Sequence, residues 1–183
     1  MKRKLEKAGI PVERGMTEEE LDRAEEVFGF RFPKEIRDFL SCCVPIGEAF
    51  FDYRDVSQEN QQRFCDFQKR VEDYFRFDLE NNRADLLELL AEPLRNPENF
   101  DAAVLEYLRS SVKRIPFYAH RCFYDGMDGM PIVSFLQPVD SIFYGSNFQD
   151  YLEREFMGKE LDVENLPVLR LQDTGIWNYL VTP

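Results

Sequence analysis

The stretch Ile115–Phe156, IPFYAHRCFYDGMDGMPIVSFLQPVDSIFYGSNFQDYLEREF, decides the reading of the fold. Three apolar or aromatic runs of strand length, Ile115–Ala119, Ile132–Leu136 and Val139–Tyr144, carry the Val, Ile, Phe and Tyr that suit a pleated, half-buried surface. Asp125-Gly126 and Asp128-Gly129 lie between the first two runs, where glycine permits positive φ at little steric cost. After the third run, Asn147 is placed to cap a helix, Phe148, Tyr151, Leu152, Glu155 and Phe156 follow at helical spacing, and Gly158 stands where a C′ residue stops it. The stretch reads as a strand, a turn, two further strands and a closing helix. The upstream chain then supplies helices that cover this sheet.

Working outward, Thr17-Glu18-Glu19-Glu20 forms a capping box ahead of a buried stripe of Leu21, Ala24, Val27 and Phe28, and Gly29 ends that helix. Pro33 suits position N1 of a second helix, with Ile36, Phe39, Leu40 and then Cys43 or Val44 at helical spacing; Pro45 and Gly47 break it. Phe50–Asp55 reads as a short strand or an ordered loop. Ser57 caps a third helix striped by Phe64, Phe67, Val71 and Tyr74, after which Phe75–Leu79 reads as an edge strand turning at Glu80-Asn81-Asn82. The leucines of Asp85–Glu92 leave that segment open between helix and strand. Asn96-Pro97 is a further cap-and-N1 pair, leading to a stripe of Phe100, Val104, Tyr107 and Leu108. Ile176, Trp177, Tyr179 and Leu180 are expected to dock the tail on the core. The expectation is a single α+β domain over residues 17–183, a mainly antiparallel sheet flanked by helices, with residues 1–16 as an N-terminal extension.

The formal net charge of −12 argues against direct nucleic-acid binding, which needs Lys and Arg to neutralise phosphates. It fits a solubilising surface or a basic protein partner met by electrostatic steering. The acidity is uneven: Glu72–Glu106 holds ten carboxylates, Glu80, Asp85 and Glu88 among them, against three arginines. No apolar run approaches the ~18 residues of a membrane span. The basic start MKRKLEKAGIPVERG lacks the apolar segment of a signal peptide, so the expectation is a cytosolic protein.

Cys42, Cys43, Cys65 and Cys122 match no zinc spacing and read as reduced, mostly buried thiols. Asp125–Gly129 lacks the spacing and distal Glu of a calcium loop and reads as a turn. P-loop, dinucleotide and zinc-protease signatures do not occur, so no metal or cofactor is expected. His120, the only histidine, is either a general base or a strand-end histidine bonded to the backbone; no sequence signature supplies it with an orienting partner or a nucleophile, and no catalytic residue is assigned. Carboxylate pairs carry no signal among 35 acidic residues.

Arg54, Asp55, Asp78, Arg121 and Asp140 adjoin strand-like segments, where they either pair around the sheet rim or give specificity for a partner. Tyr53, Tyr118, Tyr124 and Tyr144 are candidate interface anchors, although each also suits the core. Together with Glu80, Asp85 and Glu88, the charged residues and Tyr53 and Tyr124 make the candidate partner-binding set.

Two segments in order, Thr17–Leu40 (TEEELDRAEEVFGFRFPKEIRDFL) and Ile115–Phe156, resemble the SUKH superfamily, which includes a yeast cell-wall-assembly regulator and many bacterial immunity proteins that neutralise polymorphic toxins. Phe51-Asp52-Tyr53-Arg54-Asp55 and Phe77-Asp78 resemble the bacterial members as well. The chain departs from the pattern at Gln137-Pro138-Val139-Asp140-Ser141, where the family often has Q-T-D-I, and by the lack of tryptophan in Asp85–Glu92. The resemblance implies an α+β fold and a binding role without catalysis, with a nuclease or other toxin domain as partner; the acidic charge balance points to a basic nuclease domain among these. The alternatives are a regulatory or scaffold module of the same fold and a small hydrolase using His120 or carboxylates.

Overall fold

Successive side chains of a strand point to opposite faces of its sheet, and here that alternation divides the core in two. The computed structural model describes residues 2–95, 97–160 and 173–182. Its elements in chain order are α1 (Lys2–Lys7), β1 (Val12–Arg14), α2 (Glu18–Phe28), α3 (Lys34–Cys42), β2 (Cys43–Pro45), α4 (Gln58–Asn81), α5 (Arg83–Leu89), α6 (Phe100–Ser110), β3 (Arg114–Tyr118), β4 (Arg121–Tyr124), β5 (Ile132–Gln137), β6 (Asp140–Gly145), α7 (Phe148–Met157), α8 (Trp177–Leu180) and β7 (Val181–Thr182). Strands β3 to β6 run antiparallel in sequence order and β7 adds in parallel on β6, while β1 and β2 form a separate antiparallel pair.

On one face, Ile115, Phe117, Phe123 and Ile132 pack with Leu21, Phe28, Ile36, Phe39, Tyr151 and Leu152 of α2, α3 and α7. On the other, Cys122, Tyr124, Val133, Phe135 and Phe143 meet Val71, Phe75, Leu86, Val104 and Trp177 of α4, α5, α6 and α8. The chain is an α+β domain with its sheet between two helical layers. No helix among the described residues is long and apolar enough to cross a membrane.

The local signals act as their chemistry requires. Thr17 accepts from the Glu20 N–H at 3.2 Å while the Thr17 N–H donates to the Glu20 carboxylate at 2.9 Å, and Gly29 closes α2 at φ 67°. Asn147 accepts from the Asp150 N–H at 2.9 Å, and Gly158 ends α7 at φ 69°. Asp125 and Asp128, in the β4–β5 connection, reach across to the α2–α3 link: they accept from the Arg31 and Lys34 N–H groups at 2.8 and 2.6 Å. Asp128 thus serves the first turn of α3, which begins one residue after Pro33.

Several elements differ from expectation. Phe75–Leu79 is not an edge strand: α4 runs unbroken for 24 residues, because Phe75 and Leu79 continue the buried stripe of Phe64 and Val71. Arg83–Leu89 is helical. Helix α6 is capped by Asn99, which accepts from the Ala102 N–H at 3.2 Å; Asn96 lies outside the described residues. An additional strand, β4, fills Arg121–Tyr124, following a tight turn in which Ala119 sits at φ 49°. Cys43 and Val44 leave the α3 helix to form β2. Phe50–Asp55 is a loop whose Phe50 bridges Tyr118.

Residues 2–16 lie against the domain rather than standing off it. Leu5 and Met16 are buried, β1 pairs with β2, and a side chain at Gly15 would place its Cβ 1.8 Å from the Ser41 carbonyl oxygen. Cys43 and Cys122 are buried free thiols, whereas Cys42 and Cys65 are exposed. In the tail, Ile176, Trp177 and Leu180 are buried and Tyr179 half-buried.

Candidate binding surface

Four residues expected at a partner-facing rim lie inside. Tyr53 is 1% exposed and its hydroxyl donates to the Pro116 carbonyl at 2.5 Å; Tyr124 is fully buried on β4. Arg121 donates from Nε to Glu155 at 2.9 Å and lies 3.5 Å above the Tyr144 ring, so this guanidinium joins the sheet to α7. Asp78 is also fully buried, accepting from Asn82 Nδ2 at 2.7 Å and from the Val139 N–H at 3.1 Å. A charge beside apolar residues reads the same from sequence whether its helix face points in or out, and here it points in. We expect Asp78→Ala to orphan both donors and lower stability by about 2 kcal/mol, measured as a shift in the urea midpoint.

The remaining predicted residues are peripheral. Arg54 is held by Asp52 at 3.2 Å and Glu13 at 2.7 Å. Asp55 accepts from the Ser57 N–H at 2.9 Å, supporting the start of α4. Asp140 is exposed at the head of β6, and Tyr118 and Tyr144 are half-buried in aromatic contacts with Phe156 and Tyr151.

His120 follows the strained turn. Its carbonyl accepts from the Phe135 N–H at 2.9 Å, and its Nε2 contacts Nη1 of Arg121. Burial and then the Arg121 charge lower its pKa below the ordinary 6.5, so at neutral pH an uncharged ring accepts from the guanidinium. The lone pair a general base needs is engaged in that contact. The neighbouring Cys122 thiol, pushed up to about 12 by burial, donates to the His120 carbonyl at 3.7 Å. Because the folded state disfavours His120 protonation, its contribution to stability is complete above the ordinary value and is lost as pH falls through it. Denaturant midpoints of His120→Gln should therefore fall less steeply than wild type between about pH 7 and 5; parallel profiles would contradict this.

Glu80, Asp85 and Glu88 are exposed on α4 and α5, as are Glu92, Glu98 and Glu106 along the same layer. Three nearby arginines are engaged elsewhere, whereas Arg95 is exposed and makes no ion pair among the described residues. Arg76 and Arg109 clasp Glu72 at 2.5 and 2.8 Å, while Arg83 pairs with Asp101 and lies 5.3 Å over the Phe100 ring. The six outer carboxylates have no cationic partner among the described residues. Beside them, a shallow cleft of about 490 Å³ is lined by Pro93, Leu94, Ala103, Glu106, Tyr107, Ser110 and Tyr179. Burial, and then the nearby Tyr179, raise the Tyr107 pKa above its ordinary value. The cleft thus carries two aromatic residues, Tyr107 and Tyr179, and one carboxylate, Glu106.

Tyr107 and Tyr179 were not among the expected anchors. They are 72 positions apart in sequence and meet only because Trp177 docks the tail beside α6. A second concavity, adjoining clefts of about 250 and 120 Å³ between α4 and the β3–β4 turn, is lined by Phe67, Arg70, Ala119 and, at one end, His120. No protein-family model, curated protein or solved structure matches this chain.

Proposed function

We propose that this chain is a cytosolic immunity protein that binds a basic toxin domain, a nuclease in the simplest case, and blocks it by occupation rather than by catalysis. The observation that supports the reading is the α5–α6 layer, whose outer carboxylates form no ion pair among the described residues and which carries a cleft lined by Leu94, Glu106, Tyr107 and Tyr179. A nuclease concentrates cations where it grips phosphates, and an acidic inhibitor matches that surface while steering the encounter. The tyrosines supply apolar contact area with little conformational entropy to lose, as interface anchors do. The engaged ring of His120 and the raised thiol of Cys122 support a binding role over a hydrolytic one.

Co-expression tests the reading. Cells making the toxic domain encoded beside this chain's gene should survive when the chain is present, with no substrate turned over by the chain itself. Toxicity that persists despite verified expression of both proteins, with no complex recovered, would refute it.

A further inference from the structure

Away from the acidic face, Arg114 opens β3 and is 1% exposed. Its Cζ lies 3.8 Å from the Trp177 ring centroid, 4.6 Å from that of Phe135 and 5.8 Å from that of Tyr124. All three guanidinium nitrogens are buried with no hydrogen-bond partner among the described residues, and so is the Tyr124 hydroxyl. That hydroxyl interacts with the guanidinium through charge and a weak hydrogen-bonding contact, short of a well-formed hydrogen bond. The ionisable groups that face Arg114 are Tyr124 and Cys122, both uncharged at neutral pH.

This arrangement is costly as it stands. An arginine does not discharge by losing its proton, and a buried charge without a counter-charge is strongly unfavourable. Aromatic faces stabilise the cation, but they are poor substitutes for lone pairs on its five N–H donors. Arg114 is also among the residues lining a cleft of about 200 Å³ between α4 and α6, together with Gln68, Glu72, Arg109, Lys113 and Trp177. The other cations there have partners. Arg109 holds Glu72 at 2.8 Å, and Lys113 donates to the Gly29 carbonyl at 3.1 Å.

We propose that Arg114 and the Tyr124 hydroxyl form an internal binding site for one small monovalent anion, a halide or a small carboxylate, admitted from the α4–α6 cleft. One uncompensated buried cation calls for one negative charge, and the cleft's own carboxylate, Glu72, is already committed to Arg76 and Arg109. The proposal does not depend on the toxin-binding reading.

Bromide is the probe. In melts of the whole protein at constant ionic strength, replacing gluconate by bromide or formate should raise the midpoint saturably, because an anion that binds the folded state stabilises it by mass action. Gluconate is too bulky to follow. Tyr124→Phe keeps the ring and removes one donor to the anion, so its half-saturating bromide concentration should rise about tenfold. Arg114→Met should abolish the response. If that variant does not fold, wild-type crystals soaked in bromide still decide: an anomalous peak within hydrogen-bond reach of the Arg114 nitrogens is expected. Equal stabilisation by gluconate, or water alone at the guanidinium in bromide-soaked crystals, would overturn the site.

Discussion

Replacing Trp177 with alanine is expected to lower the stability of the fold by about 3–5 kcal/mol. The indole is 1% exposed and makes edge contacts with Phe75 at 5.5 Å and Phe135 at 5.7 Å, so truncation opens a large void between α4 and the sheet. Its Nε1 also donates to the Val112 carbonyl at 2.7 Å, joining groups 65 positions apart. Two losses combine: buried aromatic area, and the hydrogen bond that fixes the tail to the entry of β3. Trp177→Phe separates them. It keeps most of the packing, leaves the Val112 carbonyl without its donor, and should cost about 1–2 kcal/mol. Urea denaturation of both variants checks the pair. An unshifted midpoint for the alanine variant would mean that the tail does not close this half of the core.

Reversing three charges on the α5–α6 layer, Glu88→Lys, Glu92→Lys and Glu106→Lys together, is expected to slow association with the proposed toxin partner by about 10–100-fold at low salt. Exposed residues without partners contribute little to folding, so the unfolding midpoint should stay within about 0.5 kcal/mol per site of wild type. The rate should also lose much of its dependence on ionic strength, since the steering field has been removed. Glu26→Lys, exposed on α2 in the other helical layer, is the control and should leave the rate close to wild type. Stopped-flow mixing over a salt series measures both. Equal slowing by the control would assign the effect to net charge rather than to a face.

How far the fold could be read ahead followed the range of the interactions concerned. The Thr17–Glu20 box, the Asn147 cap and the left-handed Gly29 and Gly158 are set by neighbours within a few residues, and all are present as expected. The aromatic runs of the β5–β6 hairpin were equally plain. Strand β4 was hidden because Arg121 opens it, and that charge is accommodated by distant groups, Glu155 34 positions away and the Tyr144 ring. Phe75–Leu79 has a strand-like composition, but its pairing partners are helical neighbours on the same α4 stripe. The site was less legible than the fold. Tyr53 and Tyr124 lie inside while Tyr107 and Tyr179 line the cleft, and nothing local to the four tyrosines distinguishes them. The acidic bias of Glu72–Glu106 corresponds to exposed carboxylates on α4, α5 and α6 and the segment between α5 and α6. What composition could not convey is that Arg76, Arg83 and Arg109 are consumed by Glu72 and Asp101, so that among the described residues the outer carboxylates form no ion pair and Arg95 is the arginine of that stretch left unpaired.

Amide hydrogen exchange on the chain alone and mixed with the proposed toxin partner tests the central claim most directly. Binding at the acid-bordered cleft should slow exchange in α5, α6 and residues 176–180, with the β3–β4 turn and the Arg70–His120 concavity unchanged. Protection confined to that turn and concavity, with α5 and α6 exchanging as in the free protein, would contradict it.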